Sequence, residues 1–169
     1  MLNIYALEYG QDDPIKCTAR KMIQMDLARG VNRKYHAADS TIVLNPYAHR
    51  AISPTDGDAK GLLVVDCSWN QAKEVFFKRL GGKHRRLPLL LAANPTNYAI
   101  VGRLSSLEAL AASMYIIGYA DDAKRYLSIY KWGPTFETPN HDPLEEYRKA
   151  RSEDAILELE REFFPQFFE

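Results

Sequence analysis

The chain has 169 residues, 46% of them hydrophobic and 26% charged, with 9 Gly, 9 Pro and a formal net charge of zero. That length and balance suit one globular domain or two small ones, and exclude the disordered, collagenous and disulfide-scaffold classes. Charge is unevenly spread: residues 1–136 carry 18 Lys/Arg against 12 Asp/Glu, and residues 137–169 carry 4 against 10, so neutrality does not exclude a polyanionic partner.

The stretch from Leu2 to Tyr9 mixes aliphatic and aromatic residues without a helical period and reads as a strand stopping at Gly10. Residues 1–13 lack the basic and apolar regions of a secretory signal, and the longest apolar runs fall far short of the ~20 residues of a membrane span. A cytoplasmic protein with no membrane contact is expected. Thr18 is the expected N-cap of a helix through Met22, Ile23, Met25 and Leu27 that ends at Gly30. Runs at 41–44, 62–65 and 87–93 are apolar on both faces, as strands of a parallel sheet covered on two sides are, with helical stretches such as 69–80 as crossovers. From Ser105 the signal turns helical. Ser105 and Glu108 form an S-x-x-E capping box for an apolar segment, Leu107 to Ile117, that stops at Gly118. A second helix is expected from Asp121 or Asp122 to Lys131, stopped by Gly133-Pro134. Asp142 to Phe168 reads as two short amphipathic helices and a Phe-rich tail packed back on the body. The expected class is α/β, with a parallel-sheet N-terminal domain over 1–88 and an all-helical C-terminal domain over 89–169.

No G-x-G-x-x-G follows a strand and no G-x-x-x-x-G-K-[ST] occurs, so the common nucleotide folds lose weight. Cys17 and Cys67 with His36, His49, His84 and His141 match no metal spacing, and no metal is expected; both thiols read as reduced and buried. A Cys67–His84 nucleophilic pair is a remote option. Asp66-Cys67-Ser68-Trp69 directly follows the run 62–65, where carboxyl ends of parallel strands build ligand crevices. A carboxylate there can bind a cation, orient an amine or accept a proton beside an apolar Trp wall; equally, Asp66 can cap the next helix and Trp69 can be core. Basic candidates are Lys16, Arg20 and Lys21, then Lys73 to Lys78 and Arg79 to Arg86, which form either a polyanion contact or a solvated face. Gly81-Gly82 can form a phosphate loop or an ordinary turn.

Several ordered motifs then converge. Lys16-Cys17-Thr18, Ser53-Pro54 with Asp56, Gly61 to Trp69, His84 to Pro88, Leu91 to Tyr98, Leu104-Ser105 with Glu108 to Ala112, and Lys131-Trp132-Gly133 resemble those of the ribosome-biogenesis aminocarboxypropyltransferases, archaeal form, over about residues 4–147. The resemblance implies transfer of the 3-amino-3-carboxypropyl group of S-adenosylmethionine to N3 of a modified uridine, N1-methylpseudouridine or similar, in small-subunit ribosomal RNA. Methylthioadenosine is released, and no metal takes part. It also implies a SPOUT-like fold with a deep trefoil knot, a cofactor site between the two domains, and a monomer acting on ribosomal RNA or a pre-ribosomal particle. By matching position, Trp69 and Ala72 cover the donor methyl group, Thr18 and Ser106 hold its amino-acid end, and backbone groups of Val65, Leu89 and Gly102 hold ribose and adenine. Asp66 is the catalytic candidate, with positioning favoured over proton abstraction because a carboxylate is intrinsically a weak base. Lys16, Arg20, Lys21, Lys83, Arg85 and Arg86 are the expected RNA contacts. A SPOUT-type methyltransferase and a non-catalytic assembly factor that binds RNA are the alternatives.

Overall fold

Five parallel strands organise the first part of the chain: β1 (Asn3–Glu8), β2 (Arg29–Val31), β3 (Ala37–Leu44), β4 (Gly61–Asp66) and β5 (Gly81–Arg85), in the spatial order β2-β1-β4-β3-β5. The computed structural model describes residues 1–10, 13, 16–66, 72–76 and 79–169, Ala72 by its backbone alone. Two compact units result, one of Met1–His49 with Asp58–Arg86 and the other of Arg50–Gly57 with Leu87–Glu169. They do not follow a single cut at residue 88, because 50–57 belongs with the later segment.

In the first unit, Leu7, Val43 and Leu63 share one sheet face and cluster with Val75 and Phe76 of a short helix and with Leu80. Ala6, Ile42, Leu62 and Val64 point to the other face and are equally buried. Burial on both faces is what the unbroken apolar runs imply. The helices here are α1 (Thr18–Gln24) and α2 (Ala72–Phe76).

Three expectations fail in this part of the chain. Cys17, not Thr18, caps α1, its sulfur accepting the Arg20 amide, so Thr18 is the first helical residue. The helix stops at Gln24 rather than Gly30, because Asp26 turns left-handed at φ 57 and Gly30 joins the unanticipated strand β2. The glycine-led basic run is itself a strand, β5. Gly81 and Gly82 sit at φ +74 and +69, and a Cβ on Gly81 would stand 2.5 Å from the Ala37 carbonyl oxygen, so only glycine admits this approach to β3.

The second unit holds α3 (Ser106–Ile116), α4 (Ala120–Leu127), α5 (Glu137–Tyr147) and α6 (Glu153–Phe163). Both halves of the Ser105/Glu108 capping box are present, and α3 buries Leu107, Leu110, Ala111 and Met114. The second helix ends at Leu127, before Lys131, and a short 3-10 turn at Gly133–Phe136 follows. The tail packs back through Phe164, which is 6% exposed, and through Phe163 edge-on to Tyr147, whereas Phe167 and Phe168 are 54% and 40% exposed. Run 87–93 is not a strand: its pairing is an isolated antiparallel bridge, Leu91 with Val101. Among the described residues no helix is long and apolar enough to cross a membrane.

Candidate active site

Parallel strands deliver their carboxyl ends to one edge, and β1 and β4 end in acids, Glu8 and Asp66, directly opposite each other in register. The N-terminus of α1 reaches the same place. The Cys17 thiol donates to Asp66 Oδ2 at 2.8 Å and lies 3.5 Å from Glu8 Oε1, while the Arg20 amide donates to its sulfur at 3.4 Å. Arg20 Nε closes the cluster on Glu8 Oε1 at 3.1 Å. Burial, then the hydrogen bond to Asp66, push the Cys17 thiol up to about 12, so it stays protonated and donates. Thr18 is buried alongside. Of the residues expected to touch the donor, the structure thus brings Thr18 and Asp66 to one strand edge, with Val65 immediately before Asp66 and paired to Leu7. Trp69 and Cys67 lie outside the described residues, and Ala72 opens α2.

In the second unit the segment from Leu89 to Asn94 is held by buried polar side chains. Glu160 accepts the Leu89 amide at 3.0 Å, and the Tyr147 hydroxyl donates to the Leu89 carbonyl at 2.9 Å. Asn140 imitates a neighbouring strand, accepting the Leu91 amide and donating to the Leu91 carbonyl, each at 2.8 Å. Glu108 accepts from the Ala93 amide at 2.6 Å, the Asn94 amide at 2.9 Å, and the Asn94 side chain and Ser105 amide at 2.8 Å each. Beyond a turn the segment folds back on itself, the Gly102 amide donating to the Leu90 carbonyl at 2.9 Å. The Leu89 and Gly102 amides are therefore committed within the protein. Ser106 is the first residue of α3. Only Glu108 of these four clamps is visible in sequence, through its capping box. Asn140, Tyr147 and Glu160 fall in segments whose polar residues read as solvent-facing, and nothing local marks them as buried.

Lys83 and Arg85 lie on β5 with Arg86 just beyond, and Lys16 and Lys21 flank the start of α1. Arg20 is engaged by Glu8, so its expected RNA contact competes with an ion pair. His84 has Nδ1 3.0 Å from the Asn45 side-chain amide and Nε2 3.0 Å from the Gly81 carbonyl oxygen. The ring thus bridges the Asn45 side chain and the Gly81 backbone. It braces the turn into β5. A cleft of about 390 Å³ lies beside it, lined in part by His36, Asp39, Phe76 and Arg79.

Comparison with known proteins places this chain in a family. Residues 42–164 match the family described as "Ribosome biogenesis protein, C-terminal". Proteins named 16S rRNA aminocarboxypropyltransferase are 41% identical in Methanosarcina mazei, over 95% of this chain and 94% of that one, and 43% identical in Sulfurisphaera tokodaii, over 95% of each. A solved structure, described as the SAM-dependent rRNA:acp-transferase Tsr3 from Vulcanisaeta distributa, matches with a TM-score of 0.81 and 33% identity over 97% of this chain and 98% of that one. Residues 2–35 also match a family described as a possible Fer4-like domain in RNase L inhibitor. An iron–sulfur cluster is held by several thiolates, whereas this segment has one cysteine, Cys17, already bonded to Asp66, so its residues do not fit one. With agreement over nearly the whole length in both sequence and fold, the chain belongs to the ribosome-biogenesis aminocarboxypropyltransferase family.

Proposed function

We propose that the chain transfers the 3-amino-3-carboxypropyl group of S-adenosylmethionine to N3 of a modified uridine, N1-methylpseudouridine or similar, in small-subunit ribosomal RNA, with release of methylthioadenosine. The observation that carries this reading, given the family, is the Glu8/Asp66 acid pair at the strand edge beside buried Thr18. Such an edge fits a donor that is a sulfonium cation with an ammonium on its transferable arm. When bound, the donor supplies a carbon made electrophilic by positively charged sulfur. The chain's own contribution is orientation, since three carbons on that sulfur compete. Asp66 orients the ammonium, Thr18 and Ser106 hold the carboxylate, and Trp69 with Ala72 walls off the methyl group. Val65, Leu89 and Gly102 serve ribose and adenine; the Leu89 and Gly102 amides are already spent, and the Leu89 carbonyl, which accepts the Tyr147 hydroxyl, can take a donor's hydrogen bond only on its second lone pair. Asp66 acts by position more than as a base toward uridine N3.

RNA phosphates meet Lys16, Lys21, Lys83, Arg85 and Arg86, with Arg20 contributing only what Glu8 leaves. Neutralising Arg85 and Arg86 is expected to flatten the salt dependence of RNA affinity by about one logarithmic unit per lost contact. The protein acts in the cytoplasm as a monomer, and the reading includes a SPOUT-like trefoil knot. An experimental structure whose ends pull out into an unknotted chain would remove the knot. Mass spectrometry of the released nucleoside tests the chemistry: methylthioadenosine is expected, S-adenosylhomocysteine would make the chain a methyltransferase, and neither would make it a non-catalytic assembly factor.

A further inference from the structure

We propose that Cys17 is a positioning residue that locks Asp66 to the first turn of α1 through a single sulfur, a role that rests on the donor site proposed above. Two bonds of opposite sense meet on that sulfur. Its proton goes to Asp66 Oδ2 at 2.8 Å, and its lone pair takes the Arg20 amide at 3.4 Å, which caps α1. Glu8 also faces the sulfur, at 3.5 Å, but a thiol has one proton and Glu8 is already served by Arg20 Nε at 3.1 Å. The Arg20–Glu8 pair thus leaves the thiol to Asp66. Asp66 ends β4 and Thr18 follows Cys17 in the chain, so one atom ties together the groups assigned to the donor's ammonium and carboxylate. A bond to one carboxylate oxygen restricts the side chain's last torsion and so contributes to fixing its orientation. Burial and the flanking acids keep the thiol protonated, so the joint holds throughout the neutral range.

Three substitutions separate the two bonds. Serine caps and donates, aspartate caps but repels Asp66 and has no proton to give, and alanine does neither. In calorimetric titration with S-adenosylmethionine, Cys17→Asp and Cys17→Ala are expected to weaken affinity about tenfold, while Cys17→Ser restores it to within about threefold of wild type. Melting should divide the set differently, with Cys17→Gly close to Cys17→Ser and Cys17→Ala lower, because the helix cap follows the first pair, while Cys17→Asp melts lower through repulsion by Glu8 and Asp66. If Cys17→Asp does not fold, Cys17→Gly takes its place, since glycine keeps most of the capping preference without a donor. The proposal is overturned if the aspartate or glycine variant binds as tightly as the serine one, or if serine is as weak as alanine. A wild-type chain that binds no S-adenosylmethionine overturns the donor site itself and this role with it, an outcome distinct from failure of the thiol alone.

Discussion

Two polar constructions in this molecule use carboxylates in opposite ways. At the β1/β4 edge, Glu8 and Asp66 are only part buried and share their partners with a thiol and a guanidinium. In the second unit, Glu108 and Glu160 are 0% and 1% exposed and spend their oxygens on backbone amides. An acid surrounded by fixed amides cannot change partner without leaving them bare, so it serves architecture. An acid held by a thiol or a part-exposed guanidinium at a strand edge is placed to meet an arriving cation, the role proposed for it above. The clamp around Leu89 to Asn94 should therefore govern stability, and the strand edge should govern turnover.

The sharpest way to break this contrast is Glu108→Ala, which strips four donors of their acceptor and is expected to cost about 3–5 kcal/mol in urea denaturation. A loss below about 1 kcal/mol would mean that water replaces the carboxylate and the clamp is not structural. Asp66→Ala should do the reverse, lowering transfer about 100-fold with unfolding free energy within about 1 kcal/mol of wild type; a variant that unfolds instead would put Asp66 among the architectural acids. Tyr147→Phe sharpens the picture on a smaller scale. It leaves the ring in place and removes one hydrogen bond to the Leu89 carbonyl, for about 1 kcal/mol, with donor affinity changing only if Leu89 takes part in binding. A further test concerns pH. The Cys17 thiol titrates near 9.0 when unexposed to the fold and at about 12 within it, so its stabilisation is intact below the lower value and drains away as pH rises through the upper one. Wild type should lose stability relative to Cys17→Ser over that alkaline window, and parallel curves would show that the thiol's environment is ordinary.

Legibility in sequence followed apolar content. Residues 41–44 and 62–65 announce strands because both faces are buried, and Ser105 with Glu108 announces a helix start because a capping box is a local device. Residues 81–85, Gly-Gly-Lys-His-Arg, carry no apolar pattern at all; they pair with β3 because two glycines allow the backbones to meet. The converse error sits at 87–93, apolar enough for a strand, yet Pro88 has no amide to pair and side chains from α3, α5 and α6 take the segment's hydrogen bonds. Of the site, Asp66 was visible from its place after a strand, whereas Cys17 looked inert. The role proposed for it depends on Glu8 and Asp66, nine and 49 positions away, a separation that no local pattern encodes.

The position of β5 at the end of the strand order has a consequence for self-association. Among the described residues β5 pairs within its sheet with β3 alone, and β2, at the opposite end, is three residues long. Terminal strands invite pairing with another chain, and natural proteins discourage it with lysine or arginine, irregular register and brevity. β5 has Lys83 and Arg85, and its pairing with β3 shifts register between Ala37 and Ile42. Lys83 and Arg85, proposed above as RNA contacts, thus sit where they also guard against intermolecular sheet growth, so replacing them with uncharged residues would carry a solubility penalty.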